Sequence, residues 1–129
     1  MAGTPIRPPG GASHNLPFSP GMRAGNTLYV SGTVAVGGDG KIVGVGDIEA
    51  QTRCVLDSVK AVVEAAGGSM ADVVFNQVFL KDLADFRGMN RAYREYFPEN
   101  PPARYCVQSA LVMDDLLVEI ASIAYREPW

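Results

Sequence analysis

The fold is decided by two stretches near the end of the chain, Pro101-Pro102-Ala103-Arg104-Tyr105-Cys106-Val107 and Leu116-Leu117-Val118-Glu119-Ile120-Ala121-Ser122-Ile123. Their content of β-branched and aromatic residues is typical of strands, and we expect both strands to be buried. Each stretch contains one charged side chain, Arg104 in the first and Glu119 in the second. An unpaired charge inside a protein is costly, so each of these side chains must have a partner or serve a site.

Arg104 and Glu119 together suggest a pocket for a small anionic substrate. The planar guanidinium of an arginine binds a carboxylate through two parallel hydrogen bonds. A carboxyl group in apolar surroundings has a raised pKa, which suits proton transfer near neutral pH. A structural ion pair between the two residues fits the sequence equally well, because ion-pair networks also place charges in cores. On the residues alone, Asn90, Phe18 and Tyr105 are interpreted as structural or packing residues.

The segments before these two stretches predict further strands and two helices. Strands are predicted over residues 27–31 with a continuation at 34–36, over 41–43 and over 72–80, and the last two strands over about 103–112 and 116–125. One helix is predicted from an N-cap at Asp47 to about residue 66, before Gly67-Gly68. The second helix is predicted from residue 83 or 85 to residue 97, where Pro98 stops it. This order predicts an α+β fold in which two helices cover one face of a mixed sheet.

The opposite face of this sheet would stay bare in a monomer. Its residues show no strongly polar alternation, so we expect other copies of the chain to bury it. Residues 1–16 are rich in Pro, Gly and Ala and show no periodicity. We therefore predict a flexible N-terminal arm over 1–16 and a single domain over 17–129.

Composition and charge argue against several classes of function. The net charge of −3 and the scattered basic residues argue against nucleic-acid binding. No apolar stretch approaches the length of about 18 residues that a membrane span needs. Cys54 and Cys106 have no zinc-type spacing, and the single histidine, His14, lies in the predicted arm. We therefore expect no metal, no cysteine–histidine catalysis and a reduced, cytoplasmic compartment.

Several short motifs resemble the Rid family of reactive-intermediate deaminases, also called YjgF-like. The motifs are Ser31-Gly32 after a strand, Asn90 in the second helix, Pro102-Ala103-Arg104 followed by Cys106, and Val118-Glu119-Ile120. They occur in the family's order, and the resemblance covers about residues 16–126. It implies a chorismate-mutase-like fold and a homotrimer with one site in each of three subunit clefts.

Within the family, the chain is most similar to the RutC-type aminoacrylate deaminases of pyrimidine catabolism. The similar segments include 16–21, 30–33, 50–53, 66–73 and 102–108. Members of the broader RidA type usually carry tyrosine at the position of Phe18 and a small serine or threonine at that of Tyr105. These two differences argue against RidA-type specificity for 2-aminoacrylate.

The resemblance also implies a role for each candidate residue. Arg104 and the backbone N–H of Cys106 would bind the substrate carboxylate, and Glu119 would position water and move protons. The pocket would be lined and shaped by Ser31, Gly32, Phe18, Asn90 and Tyr105. The implied reaction is hydrolysis of 3-aminoacrylate to malonic semialdehyde and ammonia, with no metal or cofactor. The alternatives are a general 2-imino acid deaminase, a ribonuclease or translation inhibitor, and a non-catalytic trimer that binds keto acids.

Overall fold

A computed structural model describes residues 2–10 and 16–129, so the prediction for His14 lies outside the described residues. The elements follow the order β1 (Thr4–Ile6), β2 (Gly21–Ala24), β3 (Thr27–Val34), α1 (Ile48–Ala65), β4 (Val73–Leu80), α2 (Phe86–Tyr96), β5 (Ala103–Gln108) and β6 (Val118–Tyr125). Short 3-10 turns at Met70–Asp72 and Leu83–Asp85 precede β4 and α2.

The strands form one six-stranded mixed sheet in the order β1-β2-β3-β6-β4-β5. All neighbours pair antiparallel except β4 and β5, which are parallel and are connected through α2. The predicted α+β fold, with a mixed sheet and two helices, is confirmed. Strand β5 lies at a free edge of the sheet, beside β4 alone.

Both helices pack on the same face of the sheet and enclose the core. The N-cap of α1 is the predicted one, because Asp47 Oδ1 accepts a hydrogen bond of 3.0 Å from the Ala50 N–H. Gly67, with a φ of 90°, ends that helix in the left-handed conformation that glycine adopts readily. Most of the fully buried core residues come from α1 and from β3, β4 and β6, among them Leu28, Val55, Val59, Val78, Leu80, Val118 and Ile120.

The opposite face of the sheet is largely apolar, and neither helix covers it in the part of the chain that the structure describes. Tyr29, Tyr105, Val107 and Tyr125 each leave roughly half of their side-chain surface exposed there. Exposed aromatic side chains grouped on one face mark a surface that is suited to contact with another protein. The expectation of a bare sheet face in the monomer is therefore met.

Several sequence-based predictions differ from the structure at the margins of the sheet. The predicted arm contains β1, which pairs with β2, and neither short strand was predicted. Residues 41–43 contribute a single bridge, Val36 to Ile42, instead of a strand. The expectation that both charged strands are buried is wrong for β5. It is an edge strand whose side chains are exposed or half-buried, and it ends at Gln108 instead of residue 112.

Candidate functional site

Arg104 lies on the helix-facing side of β5 and is held there by α2. Its Nη1 donates a hydrogen bond of 2.8 Å to Asn90 Oδ1 and lies 3.9 Å from Met89 Sδ. Its guanidinium carbon lies 4.8 Å from the centre of the Tyr93 ring and 5.7 Å from that of Phe86. Cation–π contacts of this kind hold a guanidinium in place without neutralising its charge. Arg104 is thus oriented, half-buried and still able to bind an anion.

A buried chain of polar groups lies beneath this arginine. Ser122 Oγ donates to Asn76 Oδ1 at 2.5 Å, and Asn76 Nδ2 donates to the Tyr93 hydroxyl at 2.8 Å. Asn76 and Ser122 are buried in the core, where burial also raises the pKa of the Tyr93 hydroxyl. A buried polar chain with all partners satisfied fixes the positions of its members. The chain therefore fixes the Tyr93 ring on which Arg104 rests.

Cys106 lies two residues after Arg104 on the same side of β5. Burial raises the pKa of its thiol, and the nearby Arg104 only partly opposes this effect, so the thiol stays protonated and is a poor nucleophile. The Ser109 N–H donates to Leu80 O of β4. Because backbone N–H directions alternate along a strand, the N–H of Cys106 points away from β4 at the free edge. It is available to bind an anion beside Arg104.

Glu119 lies on the uncovered face of the sheet, on β6. Half-burial raises the pKa of its carboxyl group, with desolvation as the cause. The carboxyl group packs directly against Gly32, where a Cβ atom would overlap with Glu119 Oε2. Glycine at position 32 therefore makes the space in which the Glu119 carboxyl group lies.

Ser31 and Gly32 form a β-bulge opposite β6. Val30 pairs with Ser122 and Thr33 pairs with Ile120, so two residues of β3 face the single residue Ala121. Bulges often lie next to active sites, because they redirect the local backbone and side chains. This bulge presents the backbone of Gly32 to the Glu119 carboxyl group.

The segment that carries Phe18 is tied to this bulge. Ser31 Oγ donates to Ser19 O at 2.6 Å, and the Ser31 N–H donates to Pro20 O at 2.9 Å. Phe18 itself is exposed. Ser31 thus acts within this chain as a link between the bulge and the segment before β2 that carries Phe18.

Tyr105 points to the side of β5 opposite to Arg104. Its ring contacts Phe75 and Phe79 of β4 edge to face, with centroid distances of 5.8 and 6.3 Å. Phe79 is paired with Glu119 in the neighbouring strand. Tyr105 therefore belongs to the apolar face around Glu119 and not to the immediate surroundings of Arg104.

The structure separates Arg104 from Glu119 within one chain. Strand β4 lies between β5 and β6, and Phe79 pairs with both Val107 and Glu119. Arg104 is thus two strands away from Glu119 and three residues further along, which is about 10 Å in each direction. The odd offset also places the two side chains on opposite faces. The predicted single pocket is therefore wrong for one chain, and so is a structural ion pair between these residues.

The candidate residues thus form two half-sites. The first consists of Arg104 and Cys106 on the edge strand β5 with Asn90 of α2, and the second of Glu119 with the bulge residues Ser31 and Gly32, to which the segment that carries Phe18 is tied. Sequence reasoning missed Tyr93, Asn76 and Ser122, which support the first half-site. The sequence does carry a signal for Asn76, which together with Gln77 interrupts the apolar residues of the predicted strand 72–80.

A cavity of about 570 Å³ opens beside Arg104, between the second half of α2 and the segment that leads into β5. Asn90 and Tyr93 form part of its wall, together with a second arginine, Arg94. Within residues 2–10 and 16–129, no group of three or more histidine, cysteine, aspartate or glutamate side chains is placed to hold a metal ion. Neither described helix is both long and apolar enough to span a membrane.

The chain is similar in sequence and fold to several proteins of known structure. The family described as Endoribonuclease L-PSP matches residues 12–126. The YjgF gene product of E. coli is 37% identical, with 95% of this chain and 98% of that chain covered and a TM-score of 0.86. E. coli TdcF with bound serine is 34% identical, with 95% and 98% covered and a TM-score of 0.87. YyfA from Yersinia pestis, described as a protein of unknown function of the conserved Rid protein family, is 31% identical, with 97% and 100% covered and a TM-score of 0.88.

Proposed function

The chain belongs to the YjgF/Rid family, and from this premise we propose that it is a cofactor-independent deaminase of small enamine or imine acids. The observation that carries the proposal is the state of Arg104. Its guanidinium is held by Asn90 and by aromatic rings, while the described residues offer it no carboxylate partner. Such an arginine is prepared to bind the carboxylate of a ligand.

The proposal assigns a role to each residue of the two half-sites. Arg104 and the N–H of Cys106 bind the substrate carboxylate, while Asn90 keeps the guanidinium in place. Glu119, whose pKa is raised by desolvation, exchanges protons with the substrate and positions water. In 3-aminoacrylate, protonation of the carbon next to the carboxylate gives an iminium ion, water adds to its C=N carbon, and ammonia leaves. The product is malonic semialdehyde, and the balance requires no oxidant or reductant.

The separation of the half-sites supports a site built between subunits. In a homotrimer, the free edge of one chain, with Arg104, faces the uncovered sheet of the next, with Glu119, Gly32 and Ser31. The exposed aromatic side chains of that face favour such an assembly. Phe18 and Tyr105 then line the cleft. A cytoplasmic location is part of this proposal and rests on the sequence, whose two cysteines give no disulfide framework.

Two other functions deserve separate tests. A non-catalytic binding function is favoured by the arginine-centred site, because binding a keto acid requires Arg104 but no proton transfer. The family description names an endoribonuclease. The net charge of −3 argues against that activity, because an RNA-binding surface needs clustered basic residues.

The test is ammonia release from 3-aminoacrylate generated in the assay, compared with 2-aminoacrylate and with the spontaneous reaction. We expect the protein to accelerate the release and Arg104→Ala to abolish the acceleration. Arg87→Ala is the matched control, because Arg87 is an exposed arginine of α2 that does not line the cavity. Binding of keto acids without any acceleration would support the binding function instead. Cleavage of RNA that weakens with added salt would support the ribonuclease.

A further inference from the structure

The cavity beside Arg104 is lined by a second positively charged side chain, that of Arg94, which has no role in the proposed function. Arg94 lies on its wall four residues after Asn90, which is one helical turn or about 6 Å along the axis of α2. Asn90 is the residue that holds the Arg104 guanidinium. The cavity is therefore lined by two arginines, Arg104 beside Asn90 and Arg94 one turn further along α2.

Of the residues that the structure describes, no acidic side chain lines this cavity. Three other arginines of the chain, Arg53, Arg91 and Arg126, form ion pairs with nearby glutamate or aspartate side chains. Among the described residues, Arg94 and Arg104 form no such pair. Two like charges beside one concave surface repel each other, and a ligand with two negative groups relieves that repulsion better than a ligand with one.

The far wall of the cavity is stiff. Pro98, Pro101 and Pro102 lie on it, and proline restricts the backbone to a narrow range of φ. Between them, Asn100 holds a left-handed conformation with a φ of 49°, which asparagine tolerates better than most residues. A wall of this kind loses little conformational freedom when a ligand binds, so the entropic cost of ordering the site lowers the ligand affinity only slightly.

We propose that this site selects small acids that carry a second carboxylate, with Arg104 binding the first carboxylate and Arg94 the second. The inference rests on the proposed function and takes its substrate class further. A three-carbon acid such as 3-aminoacrylate reaches only the Arg104 end, whereas a cavity of this volume accepts a longer molecule. Arg94 is thus a specificity-determining residue, and the preferred substrates are enamine or imine acids with a carboxylate at each end.

The test compares two five-carbon keto acids that differ in one carboxylate, 2-oxoglutarate and 2-oxovalerate, by calorimetric titration. Both resemble deamination products and require no turnover to bind. We expect the wild-type protein to bind 2-oxoglutarate about tenfold more tightly at low salt, with the ratio falling as salt screens the second contact. Arg94→Ala should bring the two affinities together, and Arg94→Glu should reverse the order.

Arg87→Ala is the control, since it removes an equal charge from the same helix outside the cavity, and it should keep the preference. Arg94 is exposed, so circular dichroism should show both Arg94 variants folded. Equal affinity of the wild-type protein for the two acids, no binding of either at millimolar concentration, or a preference that survives Arg94→Ala would overturn the inference. The deaminase proposal is tested separately by ammonia release, which has no influence on the ratio of the affinities for 2-oxoglutarate and 2-oxovalerate.

Discussion

Two inactive variants of this protein are expected to restore activity to each other. Arg104→Ala removes the proposed carboxylate anchor, and Glu119→Gln removes the proposed proton-transfer group. General acid–base groups contribute roughly 10²–10⁴-fold to a rate, so the second variant alone should fall by a factor in that range. The two side chains lie on opposite faces and two strands apart in one chain, so the proposed site would take one residue from each of two neighbouring subunits.

The size of the recovery follows from counting sites. In a cyclic trimer, each site combines Arg104 of one subunit with Glu119 of the next. A trimer that contains both variants always has one position at which an intact Arg104 meets an intact Glu119. Trimers isolated as mixed species should therefore show about one-third of the wild-type activity, and an unselected equal mixture about one-quarter.

The assay uses co-expression of the two variants with different affinity tags, followed by purification over both tags. Ammonia release is then measured per milligram, with the molecular mass checked by light scattering. Two differently tagged copies of Arg104→Ala, prepared in the same way, serve as the control and should stay inactive. If the mixed species recovers nothing although it is folded and trimeric, both side chains act within one subunit and the interfacial site is refuted. A monomeric mass of 13.8 kDa would refute the trimer itself.

Four further predictions concern single residues. Arg104→Lys should lose turnover with an unchanged melting temperature, because lysine keeps the charge but lacks the two-pronged donor; full activity in steady-state kinetics would contradict the anchor assignment. Gly32→Ala should displace the Glu119 carboxyl group and lower the rate about tenfold or more at nearly constant stability, whereas a normal rate would show that this contact has no effect. The Glu119 pKa is raised in the folded state, so ionisation of this group lowers stability as the pH rises above about 4.5. In thermal melts, the melting temperature of Glu119→Gln should therefore rise relative to that of the wild type as the pH increases through this range. A melting-temperature advantage that grows as the pH is lowered would contradict this reasoning. Tyr93→Phe should lose roughly 1–3 kcal/mol in urea unfolding, because the buried Asn76 amide loses its acceptor, and an unchanged midpoint would count against the polar chain.

The central elements could be predicted from the sequence because their local signals agree with their packing. Helix α1 has apolar residues at helical spacing, an aspartate N-cap and glycines at its end, and its bounds differ by about one residue from those predicted. Strand β4 is apolar on both faces and is central. The short strands β1 and β2 could not be predicted, because three or four residues rich in Pro, Gly and Met carry no periodicity and pair only when the sheet exists.

The identity of the site residues was easier to predict than their arrangement. Arg104 and Glu119 are charged residues within largely apolar stretches, so the sequence alone is enough to select them as candidates. Their relative position depends on β4 lying between β5 and β6 and on a register that no local pattern encodes. A shift of one residue in that register would place both side chains on the same face. The pairing of strands from distant parts of the chain therefore decides whether one subunit or two build the site.

The extra residue of the bulge at Ser31-Gly32 makes space for the Glu119 carboxyl group without being needed for the pairing of β3 with β6. If Gly32 were absent, Ser31 would face Ala121 alone, Thr33 would still pair with Ile120, and every later residue of β3 would keep its side of the sheet. The ladder is thus complete without this residue, which behaves as an insertion that the fold tolerates. Insertion of one glycine into a regular strand would therefore create the space for the Glu119 carboxyl group and would leave the core on the other face of the sheet unchanged.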